Sequence, residues 1–239
     1  RPIPSMSIAQ FEVTPDKLHL TGRHRVERHR ELFSPPIDGI AVKFRTSYPV
    51  DIWPIAISDI EFKMINRAEF SNEKEHSVAA LSIRLDALGG TSFHKLNIER
   101  LRFYIDGFAA KTAGLYEWII NSVTRIEISN LSGAVVTIDP KSIVSIGFEE
   151  DDNLVDYDAR SLSAYRYLYE YFVFPDKFNF FDLTSISEAI DSRFDKELEI
   201  KLFCSEFARS ERLFTLSNLV DNETLKLGCT PIVNLFQQN

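Results

Sequence analysis

Cysteine is scarce: Cys204 and Cys229 are the only two in 239 residues, and neither belongs to a CxxC or CxxH spacing. A disulfide framework is therefore excluded as the scaffold, and the pair reads as buried thiols of a reducing compartment. Glycine is thin as well, nine residues with Gly89-Gly90 the one adjacent pair, so neither GxGxxG nor GxxxxGK[ST] occurs. The GxSxG elbow of a serine hydrolase is missing too. Five histidines (His19, His24, His29, His76, His94) contain no HExxH, and the spacing of His24 and His29 puts them on opposite sides of a strand. No metal or cofactor is expected. Apolar runs such as Ile55-Ala56-Ile57 are far too short to cross a bilayer, which excludes direct membrane insertion. Positive charge is in deficit: 27 Lys and Arg against 35 Asp and Glu leave a net charge of −8. A chain of that sign is a poor match for nucleic acid, whose binding depends on cations displacing counterions.

What is present is mostly strand. "SIAQFEV" (7–13), "IAVKFRTSY" (40–48), "VDIWPIAI" (50–57) and "IEFKMI" (60–65) are short, rich in branched and aromatic residues, and punctuated by prolines and glycines. Pro54 predicts an edge strand or a bulge, because proline cannot donate to a ladder. Further strands are predicted in 77–85, 96–107, 123–130, 134–138, 177–183, 197–205 and 225–236, the pair around Ser132-Gly133 forming a hairpin. Apolar residues at i, i+3 and i+4 (Leu115, Trp118, Ile119) mark a helix over 109–121. A second helix, about 160–173, starts from Asp158 or Ser161 and stops at Pro175, and a third covers 210–220. The class is α+β: β-rich, with antiparallel, sandwich-like sheets and a few helices. Residues 1–148 read as a β-rich α+β domain and 149–239 as the aromatic helix plus strands, the two able to share sheets.

Three stretches stand out. "EEDDNLVDYD" (149–158) lacks the order of a calcium loop and reads as a solvated linker. "RHRVERHR" (23–30) reads as a charged, solvent-facing strand or loop, with a protein partner the functional alternative. The third is "YRYLYEYFVFPDKFNFF" (165–181), which holds nine of the chain's 29 aromatics. Its periodicity puts Leu162, Tyr165, Leu168 or Tyr169, and Phe172 on one face, and predicts Tyr165, Phe172, Phe178 and Phe180 buried together. Tyr171 is also expected in the core, while Arg166 and Glu170, one turn apart, are placed to pair. Tyr165, Tyr167, Tyr169 and Tyr171 surround the helix, however, so one buried face cannot take all four. Some ring must meet another surface, and Tyr167 is the one expected to point outward. Isolated acids in apolar surroundings are two, Glu170 and Asp182, each readable as structural. A carboxylate-pair hydrolase and a sugar- or peptide-binding β module remain as alternatives.

The residues of "RSLSAYRYLYEYFVFPDKFNFFDL" (160–183) resemble the signature of the TssF (VasA/ImpG) family, baseplate subunits of the bacterial type VI secretion system. "RPIPSMSIAQF" (1–11), "FRTSYPVDIWPI" (44–55), "LRFYIDG" (101–107), "SIGFEEDDNLVDYD" (145–158) and "CTPIVNLF" (229–236) agree in order. Ala164 stands where the family has glycine, and the arginine-histidine cluster replaces a proline-glycine turn. The resemblance implies a middle fragment of a longer chain, cut abruptly at "RPIPSM". It implies a structural, non-catalytic, cytoplasmic protein without cofactor, part of a wedge at the inner face of the cell envelope. Two TssF copies with one TssG form that wedge, which joins TssK and TssE around the VgrG hub. Tyr165, Arg166, Glu170, Tyr171, Phe172, Phe174, Pro175, Lys177, Phe178 and Phe181 are the signature positions expected to serve core or interface.

Overall fold

The computed structural model describes residues 3–13, 21–36, 38–65, 77–155, 163–205 and 210–235. His19, His76, Asp158, Ser161 and Leu162, with the ends of several quoted segments, lie outside the described residues. In chain order the strands are β1 (Met6–Gln10), β2 (His24–Val26), β3 (Glu31–Phe33), β4 (Lys43–Thr46), β5 (Val50–Ile52), β6 (Ile55–Met64), β7 (Ala79–Ala87) and β8 (Arg100–Ile105). They continue with β9 (Arg125–Ser129), β10 (Val135–Ile138), β11 (Ile143–Ser145), β12 (Phe180–Thr184), β13 (Glu197–Cys204), β14 (Leu225–Lys226) and β15 (Cys229–Val233). The helices are α1 (Phe93–Leu96), α2 (Ala109–Ser122), α3 (Ser163–Val173), α4 (Ile186–Ala189) and α5 (Ser210–Leu219). Every pairing described is antiparallel, in four sheets ordered β1-β15-β4-β3, β10-β9-β13-β7-β6, β11-β12-β8-β14 and β2-β5. The fold is α+β, as the alternation and turn residues predicted.

The strand predicted over 50–57 is broken at its proline, and its second half runs on into the strand predicted at 60–65. Pro54 separates β5 from β6, and β6 is an edge strand paired with β7 alone. Between Ile57 and Asp59 the register slips by one residue, a bulge that moves the inward set from Ile55 and Ile57 to Ile60 and Phe62. Elsewhere in that sheet the alternation is regular: Leu81, Ile83 and Leu85 of β7 and Leu198, Ile200 and Leu202 of β13 point inward. The opposite face carries ion pairs such as Arg84 with Asp59 and Glu199.

The sheet β11-β12-β8-β14 has apolar residues on both faces. Leu101, Phe103 and Ile105 of β8, with Phe181 and Leu183 of β12, join the main core beside Trp118 of α2 and Leu213 and Leu216 of α5. Phe103 and Phe181 stack there at 5.2 Å. The alternate residues Tyr104 and Phe180 face a second, smaller core with Tyr48, Ile146 and Cys229. Strands on either side of residue 148 thus share sheets: β12 pairs with β8, β13 with β7 and β9, and β15 with β1 and β4. The basic stretch is a strand only over His24–Val26; His29 has φ +65° and sits in a turn, so the long strand expected through both histidines does not form.

Candidate docking surface

The aromatic segment folds as its local chemistry dictates. The last helical bond of α3 runs from the Phe174 amide to the Glu170 carbonyl at 2.8 Å. Pro175 has no amide with which to continue and opens a 3-10 turn, Pro175–Phe178, that leads into β12. Phe174 is half-buried and Pro175 exposed, whereas Lys177 and Phe178 are carried underneath the helix.

What α3 buries is its charge. Arg166 and Glu170, the only charged residues of the helix, are both buried, and Glu170 and Lys177 have no exposed surface at all. Lys177 Nζ donates to Glu170 Oε2 and, at 2.9 Å, to the Asp152 carbonyl, while the Leu154 amide donates to Glu170 Oε1 at 2.9 Å. Arg166 donates to the carbonyls of Glu149 and Glu150 at 3.1 and 3.3 Å. The expected Arg166–Glu170 pair is thus replaced by two separate tasks, each residue reaching the loop 147–155. That loop is not the solvated linker predicted. Its carbonyls are collected by the buried Arg166 and Lys177 and by the half-buried Arg28 at Asn153, and Asp152 accepts from the Gly147 amide at 2.9 Å. Leu154 anchors it in the interior, leaving Glu149, Glu150 and Asp151 exposed.

Gly147 makes the crossing possible. Its φ is +106°, and a Cβ there would stand 3.2 Å from the Lys177 carbonyl, the Phe178 ring and the Tyr48 hydroxyl. Tyr48 in turn donates to the Lys177 carbonyl at 3.1 Å from the second core. Burial pushes the Lys177 pKa down, with Glu170 pulling against that shift, and burial pushes Tyr48 well up.

The aromatics are distributed in the opposite sense to expectation. Tyr165 is 71% exposed, Leu168 56%, Tyr171 58% and Phe172 80%. Tyr165, Tyr171 and Phe172 are therefore not core residues, because the helix face they occupy lies opposite the polar contacts that hold α3 down. Phe178, Phe180 and Phe181 are buried as expected. Tyr167, expected outward, is half-buried: its hydroxyl donates to the Phe148 carbonyl and its ring lies 6.1 Å from that of Phe148. Sequence reasoning missed Tyr48 and the Lys177–Glu170 pair; the one signal was a lone Glu in an apolar helix seven residues before a Lys.

Asp182 is buried and held by Arg102 through two bonds of 2.7 and 2.9 Å. Two clefts of 350 and 490 Å³ open around Asp51 and Trp53, away from α3. Asp51 is engaged there by Arg25 and Arg100 at 3.5 Å each. No helix among the described residues is long and apolar enough to cross a membrane, and no group of three or more metal-ligating side chains occurs among them.

Comparison with known proteins agrees with the resemblance. The family model described as "Type VI secretion system, TssF" matches residues 1–239. The chain is similar to the type VI secretion system component TssF1 of Pseudomonas aeruginosa, 28% identical over 243 residues, covering 98% of this chain and 38% of that protein. In structure it is similar to a chain of the type VI secretion TssK-TssF-TssG baseplate subcomplex solved by cryo-electron microscopy. That match has a TM-score of 0.78 and 20% identity, and covers 98% of this chain and 42% of the other. At that identity the likeness is one of fold, and in both comparisons the chain spans less than half of its relative.

Proposed function

The chain belongs to the TssF family of the type VI secretion system, and from that premise we propose that it is a structural piece of the baseplate. In this reading the full-length protein pairs with TssG, as a wedge containing a second TssF copy, and links TssK, TssE and the VgrG hub. The wedge stands in the bacterial cytoplasm at the inner face of the envelope, and its work is to hold partners, without catalysis or cofactor. Residues 1–148 and 149–239 act within it as one body, because their strands are shared between sheets.

The observation that carries the reading is the polarity of α3. A helix that buries Arg166 and Glu170 and exposes Tyr165, Leu168, Tyr171 and Phe172 is badly matched to water and well matched to another protein surface. Co-expression of the full-length chain with TssG tests the role. A stable complex surviving gel filtration is the expected result; separate elution of two soluble proteins overturns it.

A further inference from the structure

The basic stretch 23–30 contributes to the larger of the two clefts. Three arginines, Arg23, Arg25 and Arg100, line that 490 Å³ space together with two carboxylates, Asp51 and Glu99, and the buried Trp53 and Leu96. The β2-β5 pair brings the first two there. Arg25 is the register partner of Asp51, and Arg23, two residues earlier, falls on the same side by strand alternation. Arg100 is the first residue of β8. Their partners are incomplete. Arg102 and Asp182 show what a completed pair is in this fold, joined by two bonds of 2.7 and 2.9 Å. Asp51 instead stands 3.5 Å from both Arg25 and Arg100, beyond the ~2.7–2.9 Å of a charge-assisted bond. Asp182, already taken by Arg102, lies 3.8 Å from Arg100. Arg23 has neither an ion pair nor a side-chain hydrogen bond among the described residues. Arg23 and Arg25 are exposed and Arg100 is half-buried, so all three keep donors open to an arriving group.

We propose that this cleft takes an acidic segment of a partner protein, with one Asp or Glu side chain entering among Arg23, Arg25 and Arg100. The proposal rests on the assembly role above and names the chemistry of one partner contact. The planar fork of arginine matches a carboxylate through two parallel bonds. Trp53 and Leu96 offer apolar surface to the stem of the entering side chain. At 490 Å³ the cleft falls within the roughly 300–1,000 Å³ of ligand sites. It takes a side chain with its flanking backbone rather than a bare ion. Nucleic acid is a poorer match, because Asp51 and Glu99 stand among the arginines and would meet a continuous row of phosphates. A second copy is disfavoured by symmetry. A basic cleft cannot face itself across a two-fold axis, and a head-to-tail contact between copies builds a ring or a filament.

The test uses the full-length chain co-expressed with TssG and TssK. A photoreactive p-benzoylphenylalanine replaces Glu99, which is exposed at the cleft, and crosslinked peptides are mapped by mass spectrometry. The expected adduct falls on one segment of a different chain, with Asp or Glu within a few residues of the crosslinked position. Arg23→Glu with Arg25→Glu should lower the yield several-fold, and changing the mapped acids to Lys should restore it. If the double reversal lowers the unfolding midpoint, Arg23→Glu alone, which breaks no ion pair among the described residues, carries the comparison. Adducts on a second copy, on the chain itself, on nucleic acid or on a segment without acids overturn the proposal. So do yields indifferent to charge reversal, or no adduct from a variant whose unfolding midpoint matches the parent. Absence of the adduct while TssG stays bound removes only this inference; failure of the parent chain to bind TssG removes the assembly reading.

Discussion

Lys177 shows how much one side chain can organise. Its ammonium serves Glu170 and the Asp152 carbonyl, and its own carbonyl takes the Tyr48 hydroxyl. Burying this charge is costly, which is why its pKa falls below 10.5 despite Glu170. A lowered lysine pKa means that the unfolded chain holds the proton more tightly. The cost is thus present at neutral pH and is relieved as pH rises from the lowered value towards 10.5. Glu170→Ala leaves the ammonium buried without its counter-charge and should cost about 3–5 kcal/mol, read from urea midpoints at pH 7. Adding Lys177→Met should recover part of that loss. Recovery stays incomplete, since the Leu154 amide and Asp152 carbonyl lose their partners, at about 1–3 kcal/mol for each buried orphan. Gly147 is the second such position. Gly147→Ala combines a positive φ with three contacts at 3.2 Å and should cost about 1–3 kcal/mol, measured in the same way.

For α3 the helix was legible and its orientation was not. Periodicity and Pro175 located the element, and the structure describes it over Ser163–Val173. The usual inference that the apolar stripe faces the core fails, because the helix lies on a loop rich in backbone carbonyls and not on an apolar sheet. Such a loop demands donors and an acceptor, which Arg166, Lys177 and Glu170 supply. The rings consequently differ in worth. Phe178→Ala, beneath the helix, should destabilise by about 3–5 kcal/mol through the cavity it leaves. Phe172→Ala, at 80% exposure, should move stability by no more than about 0.5 kcal/mol. Parallel urea titrations compare the two, and equal losses would show that the exposed face of α3 is core after all. β6 teaches a related lesson. Pro54 made an edge strand or a bulge readable, but the bulge falls at Ile57/Asp59, beyond the proline, and there it reverses which residues face inward.

Across the whole molecule, sheet partners come from distant parts of the chain: β1 with β15, β8 with β12, β7 with β13. Both cysteines end inside, Cys204 under the Trp118 indole nitrogen at 3.1 Å and Cys229 in the second core. Ellman's reagent should therefore find no thiol in the native protein and two after denaturation. Burial raises the Cys229 pKa from 9.0 to about 12. The folded state keeps that proton where the unfolded chain releases it, so the stability present below pH 9 is lost as pH rises through about 12. Thermal midpoints measured across that range should fall, and a Cys229→Ser variant should fall less steeply. The sequence by itself determined the α+β class, most strand and helix positions, the buried thiols and the family. These follow from alternation, turn residues and motifs that act within a few positions of one another. Only the tertiary structure decided that α3 turns its charges in and its aromatics out. That orientation depends on carbonyls at 149–153, a lysine beyond a proline and a tyrosine at position 48, and local periodicity carries no information about what a face will meet.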